Sequence, residues 1–194
     1  MKKSGGFTLI EIIVTMALMS IIGGVAVGTI ITSMRNNQKV EAQSLVHRDL
    51  SNALDKFDRV IRSTTVILEA TQTTLKIRGY PTAADTVPSQ IYFFITAGGA
   101  LHYTIIPPTG TAPNYTYNQN NAKEYTLMAK VTNSNAAPLF GYFNSSNQLL
   151  TYPVTLASIQ AVQVSIQALD GANLLTTPIV ASTIIDMRNF KTNL

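Results

Sequence analysis

The chain contains no cysteine among its 194 residues, so disulfides, thiolate metal sites and cysteine nucleophiles are excluded. Histidine is nearly absent too. His47 and His102 lie far apart and the ten carboxylates are scattered, so no metal-ligand spacing emerges. Charged residues make up only 12%, about half the usual share. The net charge is +4, and no Lys/Arg cluster follows the first residues. A polyanion such as nucleic acid therefore has no basic stripe to follow, and is a poor expectation as a partner. No glycine-rich phosphate loop is present. In place of charge the chain carries Thr, Asn, Ser, Gln and Ala, mostly after residue 63. Such a surface is polar without being ionic and suits work outside a cell.

Apolar residues reach 46%, and they are concentrated at the start. Phe7 to Ile31 is a run of 25 residues with a single charge, Glu11. As a helix it is about 37 Å long at roughly 1.5 Å per residue. That spans a bilayer core of about 30 Å with some tilt. Lys2 and Lys3 precede it, which predicts a cytoplasmic N-terminus. A secretory signal peptide would need a shorter apolar region, although Gly24-Val25-Ala26 offers a cleavage-like site. A plain signal anchor fits length and charge but gives no reason for Glu11. A carboxylate inside a span costs up to about 2.5–3.5 kcal/mol at the centre and marks function.

Behind the two lysines stands Gly5-Gly6-Phe7-Thr8-Leu9-Ile10-Glu11. With the apolar helix after it, this run closely resembles the type IV prepilin processing motif. The resemblance implies a leader of residues 1–6, cut by the prepilin peptidase between Gly6 and Phe7, with N-methylation of Phe7. It makes Glu11 the fifth residue of the mature chain and an assembly residue. Gly6 leaves no side chain to obstruct a protease at the membrane face. Glu11 of one subunit would pair with the Phe7 ammonium of a neighbour, since either charge alone in an apolar bundle is costly. Such a pair would set axial register, as a buried polar residue does in coiled coils. Many pilins carry a proline in the middle of this helix, and here there is none. Gly23, Gly24 and Gly28 are instead either weak points, each costing about 1 kcal/mol relative to Ala, or places for close helix packing.

The helical pattern continues to residue 62. Val46, Leu50, Ala53, Leu54, Phe57 and Ile61 form a stripe at spacings of three and four. Charged residues fill the other faces, with Asp55 and Arg59 at i, i+4. After Arg62 the period becomes two. Leu75–Arg78, Ile91–Ile95, Leu101–Ile106, Tyr125–Val131, Val162–Ala168 and Ile179–Met187 are expected strands, and Leu139–Asn144 with Leu149–Tyr152 an expected hairpin. Pro107–Asn121 reads as a loop. The expected fold is α+β: one long N-terminal helix on an antiparallel sheet of about seven strands, as in pilins. The expected parts are the leader (1–6), a membrane and assembly segment (7–31), an amphipathic segment (32–62) and a β-rich globular domain (63–194).

A second, looser resemblance covers the later chain. The Phe140–Asn147 run, the strand at Val162–Ile166, the ending Asp186-Met187-Arg188-Asn189 and Arg48-Asp49-Leu50 look like J-type or W-type minor pilins and pseudopilins. Together the resemblances imply a structural subunit, of the minor class, of a type IV pilus or type II secretion pseudopilus. Its partners would be prepilin peptidase, other pilin subunits, the inner-membrane assembly platform and membrane lipid. It would begin in the cytoplasmic membrane, N-terminus inside and globular domain outside, and end in an extracellular pilus or periplasmic pseudopilus. An adhesive or DNA- or substrate-binding tip pilin, or a major pilin, is the alternative. No catalytic constellation is present and no cofactor is implied. His47 reads as a surface residue and His102 as a structural one. Asp55 and Asp58 read as salt-bridged surface, while Tyr115 and Tyr117 sit in a loop from which they could stack on a sugar or a base.

Overall fold

The computed structural model describes residues 6–82, 84–111 and 114–187. Helix α1 spans Leu9–Arg62. Eight strands follow: β1 Val66–Ala70, β2 Leu75–Gly79, β3 Ser89–Ile95, β4 Leu101–Ile106, β5 Lys123–Met128, β6 Phe140–Phe143, β7 Ala161–Ala168 and β8 Ile179–Asp186. The chain divides into two compact units, one ending at Glu41 and one running from Ala42 onward.

In the first unit every described side chain is exposed; it holds the apolar run and the more polar residues 32–41 after it. This is the one described helix long and apolar enough to cross a membrane. Its few hydroxyls are turned back onto the helix. Thr15 Oγ1 donates to the Glu11 carbonyl at 2.8 Å, Ser20 Oγ to Met16 at 2.8 Å, Thr29 Oγ1 to Ala26 at 2.8 Å and Thr32 Oγ1 to Gly28 at 2.9 Å. In hydrocarbon an unpaired hydroxyl is expensive, and the carbonyl three or four residues back is the acceptor within reach.

The second unit begins where the helix becomes amphipathic. Ala42, Val46, Leu50, Ala53, Phe57, Val60 and Ile61 are buried, at the three-and-four spacing that keeps one face turned inward. Arg62 and Asp58 form an ion pair at 2.8 Å one turn apart on the outer side. Strands β1 to β5 form one antiparallel sheet in sequence order, and β6, β7 and β8 form a second. Leu75, Ile77, Ile91, Phe93 and Leu101 alternate with polar neighbours and point into the core. From the smaller sheet come Phe140, Tyr142, Val162, Val164, Ile166 and Ile185. Phe57 lies between the two sets, its ring centroid 4.5 Å from that of Phe93 and 5.8 Å from that of Phe140.

The expected α+β fold is therefore present, with its strands divided between two sheets. The ladder of the larger sheet stops at Met128, and residues 129–139 lead on to β6 outside any strand. Side chains and single backbone bonds take over. Val131 N donates to Gly99 O at 2.7 Å, and Leu139 N to Gln72 O at 2.8 Å, tying the sheets together. Gly99 has φ 81, the left-handed region, and a Cβ there would stand 3.3 Å from the Val131 carbonyl. Asn133 Nδ2 donates to Ser165 O at 2.8 Å while Gln167 N donates to Asn133 Oδ1 at 2.9 Å, so one amide replaces a missing rung beside β7. Tyr142 is fully buried and its hydroxyl donates to Thr71 O at 2.9 Å; burial pushes the phenol above its ordinary pKa.

Three local expectations need correction, and one strand was unforeseen. Leu149–Tyr152 is not a strand. Leu149 makes one bridge to Phe143 and Leu150 N donates to Tyr142 O at 2.7 Å, after which Pro153 ends the pairing. The expected strand at Tyr125–Val131 is Lys123–Met128, and Val131 bridges instead to Ala168 in the other sheet. β1 was not expected at all, because Val66-Ile67-Leu68 has no alternation and its pairing with β2 shifts register between Ile67 and Glu69. The i, i+4 ion pair on the helix is Asp58–Arg62 rather than the expected Asp55–Arg59.

Two substitutions probe this core. Phe57→Ala removes a fully buried ring between two sheets and should cost about 3–5 kcal/mol of unfolding free energy, read by chemical denaturation. Asp170 accepts backbone N–H bonds from Leu174 at 2.8 Å and Leu175 at 2.7 Å. Burial alone would raise its pKa, but these donors outweigh it and hold the carboxyl below its ordinary value of 3.8. Its contribution is thus complete above that value and lost as pH falls through the depressed one. Asp170→Ala should unfold more easily than wild type near neutral pH, and the two melting curves should converge in acid.

Candidate processing and assembly site

The apolar helix begins immediately after the sequence expected to be cut. Gly6, Phe7 and Thr8 are non-helical and the helix starts at Leu9. Gly5, Lys2 and Lys3 lie outside the described residues. Phe7 is 84% exposed, and a Cβ at Gly6 would meet nothing within 4 Å. The bond between Gly6 and Phe7 therefore lies in extended, open backbone.

Glu11 is not a free carboxylate. Thr8 N donates to Glu11 Oε2 at 2.9 Å and Thr8 Oγ1 donates to the same oxygen at 3.0 Å. In return Glu11 N donates to Thr8 Oγ1 at 3.4 Å. The Thr8 carbonyl accepts from Ile12 N at 3.3 Å, which makes Thr8 the N-cap. Thr8 and Glu11 are thus a reciprocal capping box, satisfying two amides that a helix start leaves without partners. The negative charge also sits at the positive end of the helix dipole. The sequence signal was available: Thr-x-x-Glu before an apolar run is the signature of such a start. Glu11 was singled out from the sequence, and its partner Thr8 was not. Glu11 Oε1 has no partner among the described residues.

This N-terminal stretch matches the family described as the Prokaryotic N-terminal methylation motif, over residues 1–27. The motif and the pilin-like fold together are those of the type IV pilin and pseudopilin family. No curated protein and no solved structure matches the chain. The motif implies processing by prepilin peptidase and assembly with pilins, and pilins are structural proteins. Its apolar helix and motif point to membrane anchoring followed by filament assembly.

The other residues raised by the sequence are not brought to this site. His47 is exposed on the helix, beside the Arg48–Asp49 pair at 3.2 Å. His102, on β4, is engaged by Glu124 through Nδ1 and lies 3.3 Å from Thr126 Oγ1 through Nε2. Asp58 is held by Arg62, and Asp55 is exposed. Tyr117 is committed: its hydroxyl donates to Pro88 O at 2.9 Å and Arg78 stacks 4.7 Å over its ring. Tyr115 is half-buried in the same loop. Among the described residues no group of three or more acidic, histidine or cysteine side chains is placed to hold a metal.

If the capping box orders the first turn, Thr8→Ala should speed hydrogen exchange at the amides of residue 8, Glu11 and Ile12 in micelles, by about fivefold for a cap worth roughly 1 kcal/mol. Thr8→Ser should restore the wild-type rates.

Proposed function

We propose that the chain is a minor subunit of a type IV pilus or a type II secretion pseudopilus. It is cut between Gly6 and Phe7, methylated on the new Phe7 amine, and held in the cytoplasmic membrane with its N-terminus inside. It then enters a filament in which Glu11 meets the terminal ammonium of a neighbour. The observation that carries this reading is the methylation motif set directly against the start of an apolar helix. The minor-subunit assignment rests on the looser likeness of Phe140–Asn147 and Val162–Ile166 to J-type and W-type subunits.

The geometry at Glu11 supports the assembly role. Thr8 uses only Oε2, so the carboxylate is oriented while Oε1 remains available to a cation. Glu11 lies four residues after Phe7, on the first turn of the helix that begins at Leu9. One subunit's Glu11 then meets another's ammonium only when the two helices are axially offset, as in a helical filament.

Intact-mass analysis of membrane-extracted protein from a host with the cognate peptidase tests the processing step. The expected mature chain starts at methylated Phe7, and Gly6→Val should leave the precursor uncut; a start at Val27 would overturn the proposal. Glu11→Leu makes the span more apolar, so insertion and cleavage should survive while recovery in sheared filaments falls. Normal incorporation of that variant would remove Glu11 from the assembly step. Quantitative mass spectrometry of the filaments should find this subunit at a small fraction of the main one.

A further inference from the structure

We propose that a cleft on the outer face of the smaller sheet is a binding site for one ring of a neutral glycan. The cleft has a volume of about 300 Å³ and lies over β6 and β7, with Gln163, Ser165 and Gln167 among its lining residues and Leu149 and Tyr152 beside them. The three β7 residues occupy alternate positions, so their side chains share one face, opposite the core residues Val162, Val164 and Ile166. They form a polar line about 13 Å long at roughly 3.3 Å per residue.

The chemistry of the lining selects the ligand. The hydrogen bonds recorded at Ser165 and Gln167 belong to their backbones. The Ser165 hydroxyl and the amides of Gln163 and Gln167 have no partner among the described residues. Each amide offers two donors and an acceptor, and the hydroxyl offers both. None of the lining side chains is ionisable near neutral pH, so an ionised ligand would lose its water with no counter-charge to replace it. A wholly apolar ligand would strand two amides and a hydroxyl. A pyranose has what the cleft lacks: a ring of hydroxyls for the amides, and C–H faces for Leu149, which is 61% exposed, and Tyr152.

A second observation is Gly141, in the middle of β6 between the buried aromatics Phe140 and Tyr142. Its φ is not in the left-handed region, which among the described glycines is occupied by Gly99 and Gly110. Nothing in the backbone requires glycine here, and glycine inside a strand costs roughly 0.5–1 kcal/mol. A Cβ at this position would stand 3.2 Å from Gln163 Oε1 and 3.4 Å from Leu149 Cδ1. It would crowd the cleft where Gln163 and Leu149 face each other. The bare strand residue lets Gln163 and Leu149 approach each other over the cleft floor, and a methyl there would shift both.

The test uses the full-length chain in a zwitterionic detergent without a sugar head group. Saturation-transfer NMR would be run with maltotriose, mannotriose, lactose and tri-N-acetylchitotriose, and with trigalacturonate as the ionised comparison. At least one neutral sugar should bind with a Kd on the order of 1 mM, and trigalacturonate should not. Gln167→Ala and Gly141→Ala should each weaken binding about tenfold or more while the thermal unfolding curve stays in place. If Gly141→Ala fails to fold, Gln167→Ala alone decides. The proposal is overturned if no neutral sugar binds at about 10 mM, if Gln167→Ala binds as wild type does, or if trigalacturonate binds equally well.

Discussion

The contact on which the globular unit depends is the wedging of Phe57 between Phe93 and Phe140. Each sheet, of five strands and of three, has one apolar face, and such a face leaves water only when another element covers it. The helix supplies the surface on which both faces converge. The strict spacing of Ala42, Val46, Leu50, Ala53 and Phe57 then follows, because a one-residue slip would turn the stripe about 100° away from the sheets. The connecting devices are secondary to this packing. Asn133, the Gly99 turn and the Tyr142 hydroxyl satisfy polar groups at the seam that packing alone would leave unpaired.

The same helix meets opposite demands along its length. From Ala42 onward it buries one face and solvates the other. Up to Ile31 it exposes apolar side chains on all sides. The one carboxylate in its apolar run would be costly anywhere in mid-span. At the first turn it has backbone amides to accept, a threonine hydroxyl to hold it and a favourable dipole. Its position is explained by helix chemistry as well as by any role in assembly. The two accounts are compatible, since Thr8 occupies one carboxylate oxygen and leaves the other.

Much of this was legible in the sequence, for reasons that differ by element. The helix end at Arg62 could be read because the period changes there from three-and-four to two. β3, β4 and β7 could be read because a half-buried strand alternates. β1 was hidden, since three consecutive apolar residues carry no alternation and a shift in register follows them. The split into two sheets was hidden because no local pattern encodes which strands pair on either side of residues 129–139. At the N-terminus Glu11 stood out as a lone charge, whereas Thr8 looked like an ordinary polar residue until its two bonds to Glu11 were seen. The cleft over Gly141 had no local signal: its lining comes from the segments around 140, 150 and 165, which meet only in the folded sheet.

The hydroxyls of Thr15, Ser20, Thr29 and Thr32 give the apolar helix a further property. Each is bonded to a carbonyl of its own helix, so none needs lipid, water or a neighbouring chain to complete it. Such a helix can exchange a hydrocarbon surrounding for a bundle of similar helices without breaking one of these bonds. Passage between the two surroundings is then governed by dispersion and shape, terms nearly equal on both sides. A subunit built this way is as much at home in storage as in use, and small external work suffices to move it in either direction.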